Sequence, residues 1–323
     1  MATEQETRRA GVTVRSARWI ENLSETQFAY LLLTPMILLM GVVALWPLAR
    51  TFTMSLRADS LFGAAQLGQF IGFDHYVALL TGEIDAQLTR PFFDPGQPFR
   101  SALTVTFIFT VVSVFFETVI GFGQALVLDQ DFWGRRWLRV AILLPWAVPI
   151  VIQGMIFFLL FQPGVGFLVE PLQSVGLFSS TPTASSVDSM IIVVVADVWK
   201  TSAFMALIIL AGLQSVDRSL YEVSKVEGAS TWQRFKTVTF PLVLPAVLVA
   251  MLFRTIAAMR IYGLIETVSS CSTVPSLSCL VVTTFGARQY ATAATIAFVT
   301  AAIIGILVSV YIVKYADLEG GGF

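Results

Sequence analysis

The chain has 323 residues, 56% hydrophobic and only 13% charged, with a mean hydropathy of +0.79; this excludes an ordinary soluble domain and makes an integral membrane protein the leading class. The formal net charge is -1, so there is neither the basic excess that draws a chain to nucleic acid nor the acidic excess of a solvated tail. Its two cysteines, Cys271 and Cys279, are too few for a disulfide framework and lack the His or Cys neighbours of a zinc site.

In chain order, residues 1–27 carry Arg8, Arg9, Arg15 and Arg18 ahead of an apolar run. That run is too long for a signal-peptide core and has no small-residue cleavage site, so it reads as a retained first span. A helix crossing about 30 Å of hydrocarbon needs roughly 20 apolar residues. Six stretches qualify, at 28–50, 101–128, 137–161, 188–213, 244–268 and 290–315. The expected fold class is therefore all-α integral membrane with six transmembrane helices, a membrane domain over 28–315 and a tail over 316–323. An even count puts both termini on one side. With the termini inside, twelve Lys and Arg flank the spans on the cytoplasmic side and five on the outside, which favours cytoplasmic termini. The outer segment 51–100 and the inner segment 214–243 are the long connections.

Ionisable groups inside spans cost roughly 2.5–3.5 kcal/mol each on insertion scales, so they face protein or a watery path. Glu117, Asp197, Lys200, Arg254 and Arg260 are of this kind. Depth counting matches Glu117 with Arg254 and Asp197 with Arg260, while Asp197 and Lys200 lie three apart on one helix. These groups are either structural ion pairs or the lining of a substrate path, to which Gln153, Tyr262 and Glu266 add hydrogen-bonding groups. The acidic members also admit an ion-gradient-driven secondary transporter. A membrane-embedded enzyme is disfavoured, because His75 is the single histidine and no nucleophile and base stand at recognisable spacing. Pro145 and Pro149 are expected to kink the third span. Cys271 and Cys279 fall outside in this topology, where oxidation is permitted, and a disulfide between them is expected.

The inner segment runs Glu222, Val223, Ser224, two residues, Glu227, Gly228, Ala229, and later Pro241 and Pro245. A glycine between short helices can take positive φ and turn the chain sharply, and Pro241 can open the next helix without losing a needed N–H. This pattern resembles the Glu-Ala-Ala loop of ABC importer permeases, with Val223 and Ser224 in place of the alanines and Glu227 in place of aspartate. Further segments resemble the carbohydrate branch of that family: Phe70 to Tyr76, the Glu117, Gly121, Ala125 spacing, Pro145 and Pro149, and Asp197 to Met205. Trp199 to Leu213 and Leu252 to Thr255 look most like the trehalose importer permeases of mycobacteria.

The resemblance implies a type I importer permease fold in a bacterial plasma membrane. It implies coupling to an ATPase through Glu222, Val223, Ser224, Glu227, Gly228 and Ala229. The implied partners are a second homologous permease, a dimer of ATP-binding subunits and an extracytoplasmic sugar-binding protein, with a sugar such as trehalose as substrate. No Gly-Lys pair occurs anywhere in the chain, so the phosphate-cradling motif is absent and ATP with its Mg is expected on the partner ATPase. Neither a catalytic residue nor a metal site is expected in this chain.

Overall fold

The computed structural model of the chain describes residues 23–59 and 67–320, with the side chains of 314–320 excepted. Arg8, Arg9, Arg15, Arg18 and the side chain of Lys314, which weigh in the expected orientation, lie outside this description, as do residues 321–323 of the predicted tail. Among the described residues all regular elements are helical, and the single bridge joins Arg57 to Phe70. The chain divides into two compact units, 1–54 and 55–323.

The first unit is built on α1 (Glu25–Met40), a π turn at Gly41–Leu45 and α2 (Trp46–Ser55). Ser24 and Gln27 form a reciprocal capping box that satisfies the first free N–H groups of α1. Apolar side chains surround this helix and none from Glu25 to Met54 is buried, the pattern of a helix solvated by lipid or by another protein.

The second unit opens with α3 (Asp74–Thr81), within the long connection 51–100. Its centre is α4 (Ala102–Asp129), which packs along α8 (Ser186–Ser215). Between them run α5 (Arg135–Ala147), α6 (Ile150–Leu160) and the short α7 (Val169–Ser174). After α8 come α9 (Arg218–Val226), α10 (Thr231–Arg234), α11 (Phe240–Ala258), α12 (Gly263–Val268), α13 (Leu277–Gly286) and α14 (Tyr290–Gly320). The buried residues of α4 repeat at helical spacing, and Glu117, Gly121, Ala125 and Leu128 lie on that stripe. A Cβ built on Gly121 would stand 2.5 Å from Cβ of Met205 and 2.9 Å from the carbonyl of Ser202. Glycine is thus what lets the two backbones approach, as small residues do between membrane helices.

Among the described residues five helices are long and apolar enough to cross a membrane, and α5 with α6 makes a sixth if the bent pair is one span. Two expected spans are corrected. The third is no simple kinked helix: it breaks at Val148 and Pro149 with a bend of 93°, because proline disfavours helical backbone at the residue before it and brings no N–H of its own. The fifth does not run over 244–268. One helical run spans Thr231–Ala258, with a π turn at Phe235–Thr239, and then stops; α12 is a separate helix after a break at 259–262. Pro241 stands in the first turn of α11 as expected, directly after the π turn that joins α11 to the helical turn before it. The last helix continues through Gly320, beyond its expected end at 315.

Both breaks are closed by side chains. Lys200 Nζ donates to the carbonyl of Val148 at 2.6 Å, and Ser276 Oγ donates to the carbonyl of Ile261 at 2.7 Å. Irregular backbone at membrane depth needs such partners, since hydrocarbon offers none. The two interrupted segments also meet: a Cβ on Gly154 of α6 would stand 1.7 Å from Thr267 Oγ1 of α12. In the connection 51–100, Asp59 accepts from the N–H and hydroxyl of Thr292 at 2.7 and 3.1 Å, capping the first turn of α14.

Replacing Gly121 by alanine is expected to destabilise the protein by about 1–3 kcal/mol through overpacking of α4 on α8. The midpoint of thermal unfolding in detergent reads this, and a midpoint equal to wild type refutes the tight contact.

Candidate functional site

Three of the five intramembrane charges meet at Arg254. Arg254 of α11 donates to both carboxylate oxygens of Glu117 on α4, through Nε to Oε2 and through Nη2 to Oε1 at 2.7 Å. Its Nη2 also donates to Asp197 Oδ2 on α8 at 2.8 Å. All three residues are buried. The expected pairing of Glu117 with Arg254 is present in this geometry, whereas that of Asp197 with Arg260 is not: Asp197 joins Arg254 instead. Arg260 is exposed and forms no ion pair among the described residues. The physical reason is the break after α11. Past Ala258 the chain no longer advances as a helix, so depth counting along one axis misplaces every residue beyond it.

Lys200 does not pair with Asp197 in the way the three-residue spacing suggested; it spans to Val148, a cation at the carbonyl end of α5. Gln153 is buried, donates to the carbonyl of Ala196 at 2.6 Å, and its own Oε1 has no partner in the structure. Tyr262 is half-buried beside the break, while Glu266 is exposed and accepts from the N–H of Cys271 at 3.0 Å. Cys271 and Cys279 are joined by a disulfide with their Cα atoms 5.4 Å apart, closing the loop between α12 and α13.

The segment from Asp217 to Arg234 is the second candidate site. Asp217 caps α9 by accepting from the N–H of Ser219 at 2.9 Å, and this bond holds its carboxyl below the usual carboxylate range. The cap is therefore complete at neutral pH and is lost as pH falls through that lowered value. At the other end Gly228 has φ +80, with Gly228 N–H bonded to the carbonyl of Lys225 and Ala229 N–H to that of Ser224, both at 3.0 Å. These are the two bonds of a Schellman termination, which favours glycine because a Cβ strains positive φ. Ser230 and Gln233 then form a capping box that starts the next helical turn at once.

Val223, Ser224, Glu227, Gly228 and Ala229 line one open groove of about 720 Å³ together with Gln233, Thr237 and Pro241. Glu222 turns away from it and pairs with Lys225 at 3.1 Å. Val223 in the groove and, elsewhere on the segment, Val226 at 89% exposure and Trp232 present apolar surface. Phe122 of α4 holds the segment from behind, with ring centroids 5.6 Å from Phe235 and 6.3 Å from Phe240. Sequence reasoning missed a further contact, the pairing of Arg218 with Asp129 across 89 positions. Its only trace in the sequence is a carboxylate that ends an apolar run and an arginine that opens the polar segment.

Membrane spans with interrupted helices around a buried ion cluster, and a stiff helical turn at their end, define a multi-pass membrane permease. The family described as "Binding-protein-dependent transport system inner membrane component" matches residues 117–317. The trehalose/maltose transport system permease protein MalF of Thermococcus litoralis is 33% identical over 241 residues, 75% of this chain and 76% of that protein. The trehalose transport system permease protein SugA of Mycobacterium tuberculosis is 34% identical over 74% of this chain and 72% of its own length. A solved bacterial ABC transporter involved in the import of the acidic polysaccharide alginate has a chain that superposes with a TM-score of 0.72 at 19% identity, covering 93% of this chain and 99% of that one. The chain belongs to the family of binding-protein-dependent transport system inner membrane components, and it is a multi-pass membrane protein of that family.

Substituting Arg254 by methionine leaves two buried carboxylates without their counter-charge and is expected to cost about 3–5 kcal/mol, read as a lower unfolding midpoint or loss of folded protein from the membrane. Normal yield and an unshifted midpoint would show that the cluster does not bear on packing. Thiol labelling in intact cells should be negligible until a reductant is added; labelling indifferent to reductant rules out the Cys271–Cys279 bond.

Proposed function

We propose that this chain is the permease subunit of an ATP-driven sugar importer, and that a disaccharide such as trehalose is its substrate. The named relatives support the sugar: they carry trehalose or maltose in their descriptions. The observation that carries the mechanism is the Asp217–Arg234 segment, two capped helical turns joined at one left-handed glycine beside a groove lined by five of the six residues expected to couple. Val223 in that groove and exposed Val226 and Trp232 on the same segment are apolar surface of the sort that a partner protein covers. In this reading the partner is an ATPase subunit that binds ATP and Mg, while this chain binds neither. A second permease completes the path and an external binding protein delivers the sugar.

A loop with a Schellman termination followed directly by a capping box has little slack, so a push on α9 reaches α8 through Val216 and Asp217 and α11 through the unbroken 231–258 run. Closure of the ATPase dimer would then shift the spans and alternate access, a rigid-body change of the hinge type. The sugar path is best assigned to the break after α11, where exposed Arg260, half-buried Tyr262 and exposed Glu266 offer polar groups not used in the ion cluster. Glu117, Asp197 and Arg254 serve the packing that holds this path open.

Gly228→Pro tests the coupling. Proline fixes φ near -65°, opposite in sign to the +80 observed, so the turn must rebuild. In the assembled transporter, sugar uptake is expected to fall at least about tenfold while the complex still forms, a loss that corresponds to about 1.4 kcal/mol of coupling. Normal uptake together with normal binding-protein-stimulated ATP hydrolysis refutes the coupling role.

A further inference from the structure

We propose that the Arg218–Asp129 ion pair is the strut that makes α4 follow the coupling segment, so that both are positioning residues for transport; this rests on the coupling reading given above. The need for such a strut follows from connectivity. Helix α8 runs into the segment through Val216 and Asp217, and α11 leaves it as one helical run, so the backbone itself ties these two spans to α9. Helix α4 has no such tie. It nevertheless carries Glu117, a member of the ion cluster, and packs its buried stripe along α8. If α9 moved without α4, that cluster would shear.

Two kinds of contact join α4 to the segment among the described residues. Apolar packing is one, Phe122 against Phe235 and Phe240 just beyond the segment and Tyr221 of α9 on the cluster that holds Phe122, Ala125 and Leu128, but apolar contact is non-directional and permits sliding. The other is Arg218, whose Nη1 and Nη2 donate to Asp129 Oδ2 and Oδ1 at 3.1 and 2.9 Å. Two parallel bonds from a planar fork fix direction as well as distance. Asp129 is the last residue of α4 and its carboxylate is only 10% exposed, so it sits firmly at the helix end. From there to Glu117 is twelve residues along one rigid helix, about 18 Å.

The placement of the charges is telling. A helix dipole disfavours an anion at its C-terminus and a cation at its N-terminus, yet Asp129 ends α4 and Arg218 begins α9. Each is in the wrong place for its own helix and in the right place for the other. Hydrogen bonding to Asp129 raises the Arg218 pKa further above its ordinary value. An ion pair whose arginine is 64% exposed adds little to folding stability, so a purely structural role would leave small traces, whereas a mechanical role shows in the yield of transport per ATP.

The test uses the complete transporter in proteoliposomes with its binding protein. Asp129→Asn and Arg218→Gln are expected to assemble and melt like wild type and to hydrolyse ATP in response to the loaded binding protein. Sugar moved per ATP should drop about five- to tenfold, within the range of coupling energies between contacting residues. The charge-reversed double variant, Asp129→Arg with Arg218→Asp, should recover most of that ratio. A wild-type ratio in the single variants overturns the proposal. So does a reversed pair that assembles like wild type without restoring the ratio, or that fails to assemble. Gly228→Pro in parallel separates the two levels: if it uncouples while the single variants do not, only the strut falls, and if it too leaves the ratio unchanged, the coupling reading falls with it.

Discussion

A guanidinium placed among membrane helices must find its counter-charges within the protein, because hydrocarbon supplies none. Arg254 finds two, Glu117 on α4 and Asp197 on α8, and in doing so binds three helices that are far apart in the chain. The single cation between two anions leaves little room for rearrangement, since any displacement of one helix exposes a charge in a low-dielectric interior. The close approach of α4 to α8 at Gly121 draws together the two helices that carry Glu117 and Asp197. The rest of the second unit is arranged around this rigid triangle.

Against that rigidity stand the two interrupted segments. The breaks at Val148 and after Ala258 release backbone carbonyls, and each is taken up by a side chain from elsewhere, Lys200 and Ser276. Two fixed breaks that meet through Gly154 and Thr267 turn a bundle of apolar rods into a scaffold with polar groups at membrane depth. Arg260, Tyr262 and Glu266 lie at or just past the second break and take no part in the ion cluster; Tyr262 packs on the core and Glu266 accepts from the N–H of Cys271. The disulfide between Cys271 and Cys279 closes the loop that follows and limits its freedom.

In the helical turn over Asp217–Arg234 the starts of α9 and α10 are capped by Asp217 and Ser230 and the end of α9 is closed at Gly228, all by contacts local to the segment. Its attachment to the bundle is less local, resting on Phe122 and on Asp129, both from α4. One surface of the turn is thereby held by the bundle while Val223, Val226 and Trp232 remain on view.

Much of this was legible in the residues themselves. Runs of about 20 apolar residues announce membrane helices, because the bilayer sets their length, and glycine at 228 announces a left-handed turn because a side chain disfavours that backbone. The alternation of Glu117, Gly121 and Ala125 likewise marks one face of one helix. The break after Ala258 was not legible, since the apolar run continues through it and hydropathy does not register a chain that stops being helical. With it went the partner of Asp197: which charges meet depends on how helices are interrupted and rotated, and only the packed arrangement decided that Arg254 takes both carboxylates. The same holds for Asp129 and Arg218, which sit against their own helix dipoles and make sense only once two distant helix ends lie side by side.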